Sequence, residues 1–440
     1  MNRLAFTPRL LPMVFALGIA FNAQAQSLVD LYSAARSYDA GFQAAKAQYD
    51  ANLFKAEQAR ALNLPKASFS AGWNYTNFES GALRADRAFD AQTATLSGSH
   101  GLYRPADDAT YRQSQKGIEQ ASAALRAAEQ DLIMRLGQAY FDVLASTDSL
   151  EFVKAQKVAV QVQLASAKRN FEVGTATITD TREAQARFDL VLAQEIAAEN
   201  DLRVKVLTLG QLVGKADVKP LPVGDGLNLA NFAPANITQW LDQADSAHPT
   251  LAQLKIALDV AQLETKKAEA AHLPTVDLVA NYQSANNNGS SSSAMGYVTN
   301  ATTIGVSMTI PLFAGYAIQN RVRETLSLEE KARADLDAAQ RNIAQATRTA
   351  FMGLESGLGQ VRAYEAAALS SQSALDANKL GYQVGVRINI DVLNSQSQLF
   401  DTKAKLSKAR YDVLMGNLRL RQASGSLKAE DLQAINAVLR

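Results

Sequence analysis

Residues 302–313, TTIGVSMTIPLF, put Ile304, Val306, Met308, Ile310 and Leu312 at every second position, with Thr303, Gly305, Ser307 and Thr309 between them. A period of two marks a strand with one apolar and one polar face. After Pro65, Ala67, Phe69, Ala71, Trp73 and Tyr75 alternate with Ser68, Ser70, Gly72, Asn74 and Thr76. After Pro274, Val276, Leu278, Ala280 and Tyr282 alternate with Thr275, Asp277 and Asn281, Val279 being the exception. A weaker fourth segment, TATLSGSHGLY, has Leu96, His100 and Leu102 on one parity. The pattern predicts strands over about 66–78, 93–103, 275–285 and 301–313, in two hairpins with polar loops at 80–92 and 286–300.

Elsewhere the period lengthens. Leu125, Ala128, Leu132, Leu136, Ala139, Val143, Leu150 and Val153 follow the three-and-four spacing of a coiled-coil seam. No proline interrupts 106–219 or follows Pro311, so nothing forbids long helices over 106–173 and 316–383, each roughly 100 Å at ~1.5 Å per residue. Val173-Gly174 and Val384-Gly385 should end them, and return helices should follow over 179–211 and 390–424. A further helix precedes each strand pair.

The chain repeats itself. FEVGTATITDTREAQARFDLVLAQ at 171–194 corresponds to YQVGVRINIDVLNSQSQLFDTKAK at 382–405, an offset of 211. Phe141 matches Phe351, Leu102 and Tyr103 match Leu312 and Phe313, and ALNLP before the first strand matches AAHLP before the third. Two copies, 26–215 and 251–424, are joined by 216–250 and followed by 425–440, and each should fold to the same unit.

Composition removes chemistry. Lys plus Arg total 44 against 43 Asp plus Glu, which gives no electrostatic reason for a nucleic-acid partner. The absence of cysteine excludes disulfides, thiolate metal sites and an N-terminal lipidated cysteine. His100, His248 and His272 are scattered and form no metal or nucleophile set. GQLVGK at 210–215 has too few residues between its glycines for a phosphate loop, lacks the following Ser or Thr, and reads as a helix end. No cofactor, metal or catalytic residue is expected, so any transport must be powered by partners. Residues 1–25, with Arg3, Arg9, the stretch LLPMVFALGIAF and AQA at 23–25, read as a signal peptide; the alternative, a membrane anchor, is disfavoured by an apolar run of 12 residues.

An exported chain with strands of about ten to twelve residues fits a tilted bilayer crossing, which needs about 9 to 11. Trp73, Tyr75, Phe78, Tyr103, Tyr282, Phe313 and Tyr316 stand near strand ends, where interfacial aromatics belong. A soluble four-stranded sheet on a helical core is the competing reading. In lipid, open edges leave unpaired N–H and C=O groups at several kcal/mol each. Four strands cannot close a barrel, whereas three chains supply twelve; the expectation is that these strands pair mainly with copies in other chains.

The signal, the repeat, LNLP and AHLP before strands, IPLF after the last, and GYQVGVRINIDVLNSQSQLFDTKAKLSKARYD resemble the TolC family of outer-membrane channel-tunnels over essentially the whole mature chain. That resemblance implies a mixed α and β fold: a homotrimer with one twelve-stranded transmembrane β-barrel, four strands per chain, continuous with a long α-helical periplasmic tunnel. Residues around 212–250 and 424–440 correspond to its equatorial belt. It implies partners, namely a periplasmic adaptor and an inner-membrane ABC or proton-driven pump, with outer-membrane lipid around the barrel. It places the periplasmic gate at Thr179, Asp180, Tyr382 and Arg387, with Arg387 and Tyr382 linking to Asp180 and Thr179, and a constriction ring at Asp391. Where the family's type protein has a second acidic residue, this chain has Asn394, so three carboxylates replace six. Val173, Gly174, Val384 and Gly385 fall at the hairpin tips an adaptor would grip. Read without the family, Arg387 and Asp391 are solvated charges at a helix start, and the chain's other functional reading is a non-transporting periplasmic coiled-coil scaffold.

Overall fold

The computed structural model describes residues 26–79, 87–223, 229–437 and 439; the signal-peptide assignment at 1–25 and the tip of the first hairpin loop lie outside them. Four strands, β1 (Lys66–Phe78), β2 (Arg87–Tyr103), β3 (Thr275–Asn287) and β4 (Tyr297–Thr309), form one antiparallel sheet in the order β1-β2-β3-β4. The two hairpins are therefore fused through a β2–β3 ladder. This corrects the expectation that the strands pair mainly between chains: three ladders are internal, and only the outer edges of β1 and β4 are open. The register explains why. Phe69 faces Leu96, which faces Tyr282, while His100, Leu278 and Val306 form another row, so all four apolar parities share one face. Phe69, Trp73, Ile304 and Val306 on that face are exposed in the single chain.

Four strand ends differ from the expectation: β2 begins at Arg87 and β4 at Tyr297, ahead of 93 and 301, β3 runs on to Asn287 past 285, and β4 stops at Thr309 short of 313. β2 begins at Arg87 rather than 93 because residues 87–92 go on pairing with Trp73–Phe78 of β1; on the other side Asn288 donates to Asp90 Oδ2 (3.1 Å) and accepts from the Asp90 amide (2.6 Å). β4 stops at Thr309, since Pro311 has no N–H to continue it. Phe313 thus lies beyond the strand, edge-on to Tyr316 with ring centroids 5.6 Å apart.

From the sheet hang long helices. Here α1 is Leu28–Tyr38, α2 Ala40–Arg60, α3 Pro105–Glu172, α4 Ile178–Val213, α5 Ile237–Ala247, α6 Pro249–Ala270, α7 Ala317–Gln383, α8 Asn389–Ala423 and α9 Asp431–Asn436. The 68 residues of α3 span about 100 Å. Its proline at the first position and Asp107 and Asp108 in the first turn suit a helix N-terminus. α3 packs on α2, α4, α6 and α8, and α7 on α6 and α8. The largest core joins α1, α3 and α8, with Leu132, Leu136, Tyr140, Leu414 and Leu418 fully buried. Around it, Gln26 pairs with Pro220, Val223 with Leu439, and α9 packs on α1.

Along the inner helix seam the copies correspond at the 211 offset: buried Leu136, Val143, Leu150 and Leu164 match buried Thr347, Leu354, Val361 and Leu375. Phe351 is accordingly the mate of Tyr140, one position from the Phe141 that sequence matching chose. One ion pair is reversed between copies. Lys154 on α3 holds Glu199 on α4 at 3.3 Å, and at the same two places Glu365 on α7 holds Arg410 on α8 at 2.9 Å.

Candidate gate at the helix tips

Each hairpin turns through a glycine in the left-handed region, Gly174 at φ 76° and Gly385 at φ 79°, a conformation other residues adopt only with strain. The amides of Thr175 and Val386 reach back to the carbonyls of Asn170 (2.8 Å) and Gly381 (2.9 Å), closing Schellman turns. Val173, Val384, Val386 and Ile388 are left exposed on the tips.

The return helices then start differently. On α4, Thr177 and Asp180 form a capping box: Thr177 Oγ1 accepts from the Asp180 amide (3.2 Å), and Asp180 Oδ2 accepts from the Thr177 amide (2.9 Å). On α8, Ile388 occupies the cap position and offers no side-chain acceptor. Asp391, the mate of Asp180, is therefore not spent on a cap; its Oδ2 lies 3.8 Å from Arg387 Nη1.

Asp180, Tyr382 and Arg387 line one cavity of about 940 Å³ between the two tips, together with Arg169, Asn170 and Asn389. Within a single chain the expected links are not direct. The Tyr382 hydroxyl accepts from Asn170 Nδ2 (3.2 Å), Asp180 serves its own cap, and Thr179 is exposed beside it. Asn394 Oδ1 accepts from Arg187 Nη2 of α4 at 2.9 Å.

A further residue that ties the tips together, the one buried among these links, was not singled out from sequence. Asn389, fully buried at the first position of α8, accepts from Gln163 of α3 and donates to the Asp180 carbonyl of α4 (3.4 Å). The signal was present in the repeat: Thr177-Ile178-Thr179 in one copy stands against Ile388-Asn389-Ile390 in the other, with polarity inverted at three successive positions.

At the sheet end of the molecule, Trp73, Tyr75 and Tyr282 lie on the apolar face. An irregularity between Gly101 and Tyr103 pairs Tyr103 with Val276, turning it onto that same face. Phe78 falls on the opposite parity of β1 from Trp73 and Tyr75, the polar face. At the foot of the sheet Arg104 holds Asp277 through two hydrogen bonds, 2.6 and 2.7 Å.

A family profile described as outer membrane efflux protein matches residues 31–215 and again 240–426, once per copy. Over 440 residues the chain is 34% identical to the outer membrane protein TolC of Vibrio cholerae serotype O1, covering 98% of this chain and 99% of that one. It is 32% identical to the alkaline protease secretion protein AprF of Pseudomonas aeruginosa, covering 96% and 89%. Its fold matches the crystal structure of the outer membrane protein VceC from Vibrio cholerae with a TM-score of 0.77, 17% identity, and coverage of 90% and 96%.

Proposed function

The chain belongs to the outer membrane efflux protein family, and from that premise we propose that three copies close their sheets into one twelve-stranded barrel and their hairpins into a periplasmic tunnel. The protein is an outer-membrane exit duct rather than an enzyme. What carries the trimer is the sheet: its apolar face is continuous across four strands while β1 and β4 keep open edges. An open edge in hydrocarbon costs several kcal/mol per unpaired backbone group, and pairing β4 of one copy with β1 of the next removes both edges. Segments 216–250 and 425–440 form the belt around the tunnel. An inner-membrane pump, ABC-type or proton-driven, joins through an adaptor whose contacts are the exposed tips around Val173, Gly174, Val384 and Gly385.

At those tips Arg387 and Tyr382 hold the tunnel closed against Asp180 and Thr179, with the direct links made between copies. Asp391 from each copy forms a ring of three carboxylates on the axis, which favours cations. The double substitution Arg387→Ser, Asp180→Ala should raise single-channel conductance in planar bilayers. Unchanged conductance in an intact trimer would remove the gate assignment, and a processed chain that stays monomeric without detergent would remove the duct.

A further inference from the structure

The internal repeat supplies more than two similar halves: it shows how a neighbour is bound. Within the chain, α3 of the first copy lies antiparallel on α8 of the second. A side chain at Gly137 would press on Met415 and Leu418, Phe141 stacks on Tyr411 with centroids 5.9 Å apart, and Asp148 accepts from Tyr411 (2.7 Å) and from Ser407. Shifting each position by 211 moves this seam onto α7 and α4, whose faces on that side meet no other element among the described residues. There Phe141 becomes Met352, and exposure rises from 2% to 64%. Leu418 becomes Leu207, rising from 0% to 59%, and Met415 becomes Val204, from 2% to 50%. Asp148 becomes Gly359 and Ser407 becomes exposed Ile196.

Large side chains buried in one copy and bare at the equivalent place in the other are what a head-to-tail ring leaves when one subunit is taken out of it. Resting on the trimeric reading above, we propose that α7 of each chain docks on α4 of the next in the register that α3 keeps on α8, seating Met352 by Asn200 and Gly359 by Ile196. The two kinds of seam differ in chemistry. Inside the chain the seam is hydrogen-bonded at Asp148. Between chains the same level is a glycine against an isoleucine, so this joint is dry and closes without a buried carboxylate to satisfy.

The chain has no cysteine, so paired cysteines report the register directly. Gly359→Cys with Ile196→Cys, oxidised by copper phenanthroline in detergent, should give reducible dimers and trimers on denaturing gels. Asp148→Cys with Ser407→Cys should link within the chain and leave the mass unchanged. Gly359→Cys with Leu192→Cys, one turn out of register, should link at least tenfold less. A trimer by light scattering in which 359 links to 192 in preference to 196, or to neither, would overturn the register while leaving the duct standing. A monomer by light scattering would overturn both.

Discussion

Replacing Asn389 with alanine tests the tip most directly. The side chain is fully buried and holds two elements at once, accepting from Gln163 on α3 and donating to the Asp180 carbonyl on α4. Each buried hydrogen bond contributes about 0.5–1.5 kcal/mol net, and a donor left unpaired at Gln163 adds to the loss. The contact to Asp180 is long, so the pair contributes roughly 1–2 kcal/mol per chain. If three tips move as one, the closed state loses about 3–6 kcal/mol, which shifts the open-to-closed ratio by ~10²- to 10⁴-fold at 1.4 kcal/mol per decade. Planar-bilayer recordings of Asn389→Ala should therefore show a larger conductance or more frequent full openings than the parent chain. Gln163→Ala should act in the same direction but less strongly, and the double variant should exceed Asn389→Ala by little, since both single changes remove the same Gln163–Asn389 bond. Wild-type conductance from Asn389→Ala in a correctly assembled trimer would refute the reasoning. So would strict additivity with Gln163→Ala, which would mean that the two amides act separately.

Because Asn394 replaces a second carboxylate, multivalent cations should block this channel more weakly than a six-carboxylate entrance, and Asn394→Asp should tighten the block; titrated single-channel currents check both. On the sheet, Ile304→Arg should cost about 2–4 kcal/mol of barrel stability at mid-membrane while Ser307→Arg, on the polar face, should assemble normally, read from heat-modifiable mobility on gels. Gly425→Ala should destabilise the turn that ends α8 against His248, lowering the melting temperature, because φ there is 71° and an added Cβ would sit 2.3 Å from His248 Cα. Asp39 caps α2 through the Phe42 amide (2.8 Å) and pairs with Arg135 (2.8 and 3.0 Å); the Arg135 hydrogen bonds hold its carboxyl below the usual value against opposing burial. Its folded pKa being below the unfolded one of about 3.9, its stabilisation is complete above that value and is lost as pH falls through the folded pKa. Asp39→Asn should thus lower the melting temperature at pH 7 and flatten its dependence on pH below 4.

Much of this was legible because it is local. Period-two alternation found all four strands, and the absence of proline with the glycine turns fixed α3, α4, α7 and α8 to within a residue or two. Of the ends that moved, Arg87 did so where pairing with β1 outruns the alternation, and Thr309 where the next proline lacks an N–H. The family resemblance placed the gate at the tips, yet Asn389 escaped notice because a lone asparagine at a helix start resembles any cap. Its role exists only once α3 and α4 are brought beside it.

Sequence by itself determined which face of each strand is apolar, where each helix stops, and that the chain says everything twice, because side-chain periodicity, proline and glycine act over a few neighbouring residues. Only the tertiary structure decided that β2 pairs with β3, that Asp180 is spent on a cap while Asp391 is not, and which copies of the repeated faces stay bare. Those outcomes depend on which distant segments meet, and two copies with nearly the same local pattern differ in what packs against them.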